Sequence, residues 1–143
     1  MTARRLLEQT RDTSKIASWC GELFAALIAA SEAHRSSSTA EAAQRIKGFI
    51  DAYYRDADLT LGRIALHVNL SQGYVSSVFG KAVGKSVVEY VTELRLEEAR
   101  RILESGDVNV NEAAEAVGYT DPYYFSKRFK RRFGVSPSHF VKR

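Results

Sequence analysis

The chain is poor in what builds a disulfide, a metal centre or a chemical active site. Of its 143 residues only Cys20 is cysteine, and His34, His67 and His139 are the only histidines. A lone cysteine excludes an intramolecular disulfide and any cysteine-based zinc site, which fits a reducing cytoplasm. It is expected to act as a small buried hydrophobe. The histidines are too scattered for ligand spacing, so no metal and no cofactor are expected. Paired carboxylates and a nucleophile set beside a base are also missing, which sets aside an enzyme, one acting on nucleic acid included. Long apolar runs are short as well: the longest, Leu23 to Ala30, falls well below the roughly 18 residues of a membrane span, so none is expected. The start is basic at Arg4 and Arg5, but Glu8 and Asp12 interrupt it before any long apolar region, unlike a secretory signal.

Acid is missing from one place in particular. Between Pro122 and Arg143 there are seven lysines and arginines and no aspartate or glutamate. The whole chain carries 21 basic and 17 acidic residues, a net charge of +4; without that tail, 14 basic residues face the same 17 acids, a net of −3. The positive charge is therefore local, and a polyanion such as a nucleic-acid backbone is the partner it favours. A solvated helix face would carry charge too, so charge alone does not decide.

What is present decides more. From Asn111 to Phe140 the chain reads as a short helix, a turn and a basic helix. Ala113, Ala114 and Val117 give the first a small apolar face, Gly118 stops it, and Thr120 or Asp121 with Pro122 caps and opens the next. From Pro122 to Phe133, Phe125, Phe129 and Phe133 recur at i, i+4, i+8, while Tyr123, Ser126, Lys127, Lys130 and Arg131 fall on other faces. That spacing makes the phenylalanines core rather than a base-stacking platform. Of Tyr123 and Tyr124, one is expected exposed and the other half packed.

Taken in order, residues Ala3 to Ala33 read as one long helix or two shorter ones, with Leu6, Leu7, Ile16, Trp19, Leu23, Phe24, Leu27 and Ile28 available for burial. Ser36 to Thr39 form a polar break and a boundary, giving an N-terminal helical segment, 1–38, ahead of a domain over 39–143. The first segment carries no chemical constellation and is expected to be a linker, a dimer-forming helix or the remnant of a larger protein. From Ala40 to Tyr54 a helix sets Ile46, Phe49, Ile50 and Tyr53 on one buried face. Thr60 caps a short helix with Ile64, Ala65 and Val68, ended near Asn69; Ser71 caps the next, with Tyr74, Val75, Val78 and Phe79, closed by Gly84. A longer helix with Val88, Val91, Leu94, Ala99, Ile102 and Leu103 runs from Ser86 to Ser105, and Gly106 stops it.

The two halves repeat. Ala65 pairs with Ala114 and Val68 with Val117 at a separation of 49; Tyr74 with Tyr124, Ser76 with Ser126, Phe79 with Phe129, Gly84 with Gly134, Ser86 with Ser136 and Tyr90 with Phe140 follow at 50. The one-residue shift falls in the turn, where an insertion costs least. No acid occurs from Leu59 to Val88, so the first copy's outer face is also free of negative charge. The expected fold is all-α: two helix-turn-helix, homeodomain-like subdomains at about 39–86 and 106–143, joined by a linker helix at about 87–105. A helix of about 20 residues is about 30 Å long, close to the ~34 Å between successive major grooves on one face of duplex DNA. If the two reading helices sit closer than one turn, the duplex must bend to meet both.

On Ala65 to Gly84, on RLEEARRIL from Arg95 to Leu103, and above all on AAEAVGYTDPYYFSKRFKRRFGVSP, the chain resembles the DNA-binding domain of the AraC/XylS transcription regulators, over roughly Ala42 to Arg143. The resemblance implies a seven-helix domain that binds double-stranded promoter DNA and usually activates transcription, with RNA polymerase a further partner, in the bacterial cytoplasm on the nucleoid. It is nearest to output domains of response regulators or membrane-tethered sensors. No receiver, sugar-binding or sensor domain is visible, so a fragment of a larger protein is expected.

Carried over from the family, the base-facing positions are Gly73, Ser76 and Ser77 in the first copy and Tyr123, Ser126 and Lys127 in the second. Glycine and two serines make few bidentate contacts, so the first helix is expected to contribute shape, water-mediated contacts and phosphate positioning. Lys127 can donate to guanine O6 and N7, and Tyr123 can meet a thymine methyl or a phosphate. Arg63, Lys81, Lys85, Lys130 and Arg131 are the expected phosphate contacts, with Ser71 and Thr120 chiefly caps. The competing reading is an interaction module whose basic face meets an acidic protein; it predicts no sequence preference on DNA.

Overall fold

A computed structural model describes residues 13–141. The expected helix start at Ala3 with Leu6 and Leu7, the basic pair Arg4 and Arg5, and the last two cations, Lys142 and Arg143, lie outside the described residues. Six α-helices and one 3-10 turn make up the described structure, with no strand among those residues: α1 Thr13–Tyr53, α2 Leu61–Val68, α3 Gln72–Val83, α4 Val87–Ser105, α5 Val110–Ala116, α6 Pro122–Phe133, then the turn Pro137–His139. The all-helical architecture of two helix-turn-helix copies joined by a helix is as the repeat implies. In place of a seventh helix, the described chain ends in the 3-10 turn.

The polar break expected at Ser36 to Thr39 does not occur, because α1 runs straight through it. Thr39 Oγ1 donates to the Arg35 carbonyl 2.6 Å away, so the hydroxyl is satisfied inside the helix. Alanines on both sides, Ala29, Ala30 and Ala33 before and Ala40, Ala42 and Ala43 after, keep the local preference helical. The chain nevertheless divides into two compact units, 1–39 and 40–143.

In the first unit the side chains expected to be buried are exposed instead: Trp19 is 73% exposed, Leu23 63%, Phe24 and Leu27 67% each, and Ile16 and Ile28 about half. Cys20 is exposed too, contrary to its expected role as a buried hydrophobe. By length and composition α1 is apolar enough to cross a membrane, with mean hydropathy 1.3 in its most apolar stretch. A count of consecutive apolar residues missed this, because Ser18, Gly21 and Glu22 divide the run while alanines sustain the average. The expectation of no membrane-length segment is corrected to that extent.

In 40–143 the starts of the five helices from α2 to α6 are fixed by side-chain caps the sequence spells out. Thr60 Oγ1 accepts from the Arg63 N–H and Ser71 Oγ from the Tyr74 N–H, both at 3.2 Å. Ser86 and Glu89 close a reciprocal capping box at the start of α4, and Asn109 with Glu112 does the same for α5. Asp121 caps α6, accepting from the N–H groups of Tyr123 and Tyr124, and so Thr120 is not the cap. Gly84 and Gly134 end the two copies' second helices at φ 75° and 79°, each donating back one turn, to Gly80 and Lys130 respectively.

Two cores form, one per copy. The first gathers Ile46 and Ile50 of α1, Ile64 and Val68 of α2, and Val75, Val78 and Phe79 of α3. Phe49 is only half-buried, its ring stacked on His67 at 4.1 Å, and Tyr53, expected in the core, is exposed. The second gathers Leu96, Ala99 and Leu103 of α4 with Ala113, Ala114, Val117, Phe125 and Phe129. Val88 and Tyr74, counted among the apolar faces, turn outward at 68% and 42% exposure.

Candidate nucleic-acid interface

Each copy presents its second helix, α3 or α6, on the side opposite its core. In α3, burial of Val75, Val78 and Phe79 leaves Gly73, Ser76, Ser77 and Lys81 exposed. A Cβ at Gly73 would meet nothing within 4 Å, so this position is open to an incoming surface. In α6, burial of Phe125 and Phe129 leaves Tyr123, Lys127, Lys130 and Arg131 exposed, while Ser126 is half-buried. Tyr123 is exposed, and the ring of Tyr124 tilts against that of Tyr119 at 6.1 Å.

Ser76 of α3 and Tyr124 of α6 border the same cleft, of about 320 Å³, together with Val88, Val91, Arg95 and Tyr119. Each candidate reading helix thus contributes one residue to a single cleft.

Electrostatics sort the cations into two groups. Arg63 is paired with Asp56 at 2.7 Å and Lys85 with Glu93 at 2.6 Å. The Arg63 partner, with a bond from the Asp58 N–H, holds the Asp56 carboxyl below its usual range. Arg132 reaches both Glu93 at 3.7 Å and Glu97 at 3.4 Å on α4. No ion pair is found among the described residues for Lys81, Lys127, Lys130 or Arg131. Lys127 instead stands over the ring of Tyr123, its Nζ 4.8 Å from the centroid, so these two side chains form one exposed cationic and aromatic pair.

Sequence reasoning overlooked the acids that matter here. Glu89, Glu93 and Glu97 recur at i, i+4, i+8 along α4, and that spacing alone could have shown one acidic stripe able to draw off nearby cations. Among the described residues no cluster of histidine, cysteine and carboxylates could hold a metal.

Comparison with known proteins adds the family. Residues 64–143 match the family described as "Helix-turn-helix domain". The C-terminal domain of AraT, a response regulator from Geobacillus stearothermophilus, superposes with a TM-score of 0.67 at 34% identity, covering 69% of this chain and 82% of that one. The chain belongs to the AraC/XylS family of transcription regulators. It is a DNA-binding helix-turn-helix protein of that family and not an enzyme. Among AraC/XylS relatives, the Msm operon regulatory protein of Streptococcus mutans serotype c is 33% identical over 129 residues, which are 85% of this chain and 46% of that protein. The transcriptional activator NphR of a Rhodococcus species is 34% identical over 113 residues, 79% of this chain and 32% of that protein. The chain thus spans less than half the length of these AraC/XylS relatives.

Proposed function

We propose that the chain reads double-stranded promoter DNA by laying α3 and α6 into successive major grooves, as the DNA-binding part of a larger, sensor-linked transcription activator of the bacterial cytoplasm. The observation that carries this reading is the shared cleft bordered by Ser76 and Tyr124, since two reading helices must open to one side to meet one duplex. At 19 residues α4 is about 28 Å long, near the ~34 Å groove repeat, so modest bending of the duplex accommodates the difference.

Direct base reading falls on Tyr123, Ser126 and Lys127 of α6, with Lys127 donating to guanine; Gly73, Ser76 and Ser77 of α3 supply close fit and water-mediated contacts. Lys81, Lys130 and Arg131 are free to neutralise phosphates. Arg63 and Lys85 serve the same end only after releasing Asp56 and Glu93. Activation through RNA polymerase is the output suggested by the family, and the similarity to a protein named as an activator supports it.

Selection of bound sequences from a random duplex pool tests this. An enriched motif with two half-sites about one helical turn apart is the expected result. A pool that returns unenriched would favour the basic face as a docking surface for an acidic protein and would defeat the proposal.

The exposed Trp19, Leu23, Phe24 and Leu27 favour a further element, pairing of α1 with the same helix of a second copy. Sedimentation of the full chain should give a dimer and, without the first 38 residues, a monomer. Partition into lipid vesicles instead of dimerisation would assign that face to a membrane.

A further inference from the structure

Besides the helix they share, the two copies meet at the turn that opens the second copy's reading helix. Gly118 stands there at φ 96°, and a Cβ on it would lie 2.8 Å from the backbone oxygen of Arg55 and 3.2 Å from Arg95 Cζ. The second copy's turn is thus seated directly on the residue that leaves the first copy's opening helix. Arg95 clamps the contact. Its Nε donates to the Tyr54 carbonyl at 2.6 Å, its Nη2 donates to the Asp56 carbonyl at 2.8 Å, and its guanidinium lies 5.7 Å from the centre of the Tyr119 ring. Beside it Arg55 is ion-paired with Glu98, which also holds Arg101. Burial pushes the Arg95 pKa down from the usual arginine value, so the guanidinium is held in a partly desolvated position.

The place of Arg95 along α4 gives this contact its meaning. Leu94, the residue before it, packs on the first core, and Leu96, the residue after it, lies in the second. A rigid helix sets the distance between two bodies packed on it. The contacts that hold each body, Phe79 with Tyr90 for one and Arg132 with Glu97 for the other, run to α4 and not to the other body, so they do not directly oppose a small relative turn. A planar guanidinium with two N–H groups committed to two carbonyls of one copy and its face to an aromatic ring of the other resists that turn.

We propose that Arg95 is a positioning residue that fixes the angle between α3 and α6, so that the half-site spacing this protein accepts is set at the Arg95 and Gly118 junction rather than by α4 alone. The proposal rests on the two-groove reading above, and it has one arm that needs no DNA. Moving one half-site by a single base pair displaces it by about 3.4 Å and rotates it by about 35° around the duplex, a change only a loosened junction can follow.

The test uses the full chain with Cys20→Ser, carrying spin labels at Leu66→Cys and Glu115→Cys, both exposed and one in each copy. Electron–electron distance measurement without DNA should give one narrow distribution, and Arg95→Ala should broaden it. On the selected operator, a one-base-pair change in spacing should cost the parent about tenfold in affinity and Arg95→Ala less than about threefold, with affinity for a single half-site unchanged within about twofold. Arg95→Lys should fall between, since one ammonium can reach the carbonyls but lacks the fixed fork. Should Arg95→Ala fail to fold by circular dichroism, Arg95→Lys and Glu98→Gln, which loosens Arg55 beside the junction, carry the test, each expected to relax the spacing requirement in part. A narrow distribution and undiminished spacing discrimination in every folded variant would overturn the proposal. Broadening without DNA, combined with no two-part operator, would leave the junction standing and defeat the two-groove reading instead.

Discussion

The ring of Phe129 meets that of Phe140 edge-on, centroids 5.5 Å apart and planes at 74°. Fifty residues earlier Phe79 meets Tyr90 in the same way, at 5.3 Å and 65°. The repeat is thus a repeat of packing: in both copies the reading helix is pinned through one buried phenylalanine to an aromatic residue in the segment that follows its glycine cap. Phe129 is fully buried, with Phe125, Phe133 and Phe140 around it. Phe129→Ala should cost ~3 to 5 kcal/mol by urea denaturation and unfold the second copy before the first.

Cations held by acids should matter less on DNA than free ones. Lys130→Ala removes an unpaired charge and should lower the slope of log affinity against log salt by about 1, weakening all sequences alike. Lys85→Ala should change that slope by less, because Glu93 already holds the ammonium. Glu93→Gln should act in the opposite direction, steepening the slope by releasing Lys85, while Arg132 stays with Glu97. Salt titrations of the three variants on one duplex would reveal a wrong assignment as equal slopes.

Lys127 differs from Lys130 in standing over the Tyr123 ring at the exposed start of α6. Lys127→Ala should lose ~1 to 3 kcal/mol on the selected operator and relax preference at one position only. Uniform loss across sequences would move Lys127 to the phosphate group.

Asp121 holds two N–H groups of α6, at 2.9 and 3.3 Å. Asp121→Ala should destabilise the second copy by ~1 kcal/mol, whereas Thr120→Ala should be nearly silent. Thermal denaturation of the two variants separates the cap from its neighbour.

Acid should weaken the domain through two named carboxylates. The Ser86 N–H holds the Glu89 carboxyl below its usual range, and Arg63, followed by the Asp58 N–H, does so for Asp56. A depressed folded pKa means stability that is fully present above the unfolded value and lost as pH falls through the folded one. The urea midpoint should therefore fall as pH drops through the carboxylate range. Glu89→Gln, which preserves the cap, and Asp56→Asn should each flatten that fall.

Much of this was legible because local chemistry and tertiary packing agree. Thr60, Ser71, Ser86, Gly84 and Gly106 end their helices in the way their side chains, or the lack of one, dictate. The repeat led to both buried phenylalanines. What failed to show lies where one residue serves two masters: Ser36 to Thr39 are turn formers that a surrounding run of alanines keeps helical. Trp19 and Leu23 have core-like periodicity but no core in the described chain. The exposed Cys20 misled by residue type alone. Lys85 and Arg63 pair with carboxylates eight and seven residues away across the start of a helix, where the period of the helix alone does not give the geometry.

Because the residues of α4 up to Leu94 belong to one core and those from Leu96 to the other, a single helix takes part in two folding reactions. Its amide protons should not exchange with solvent as one set. Those of the first half should follow opening of the N-terminal copy and those of the second half the C-terminal one, so that a destabilised second copy frays the helix from its far end back to Arg95 and stops there.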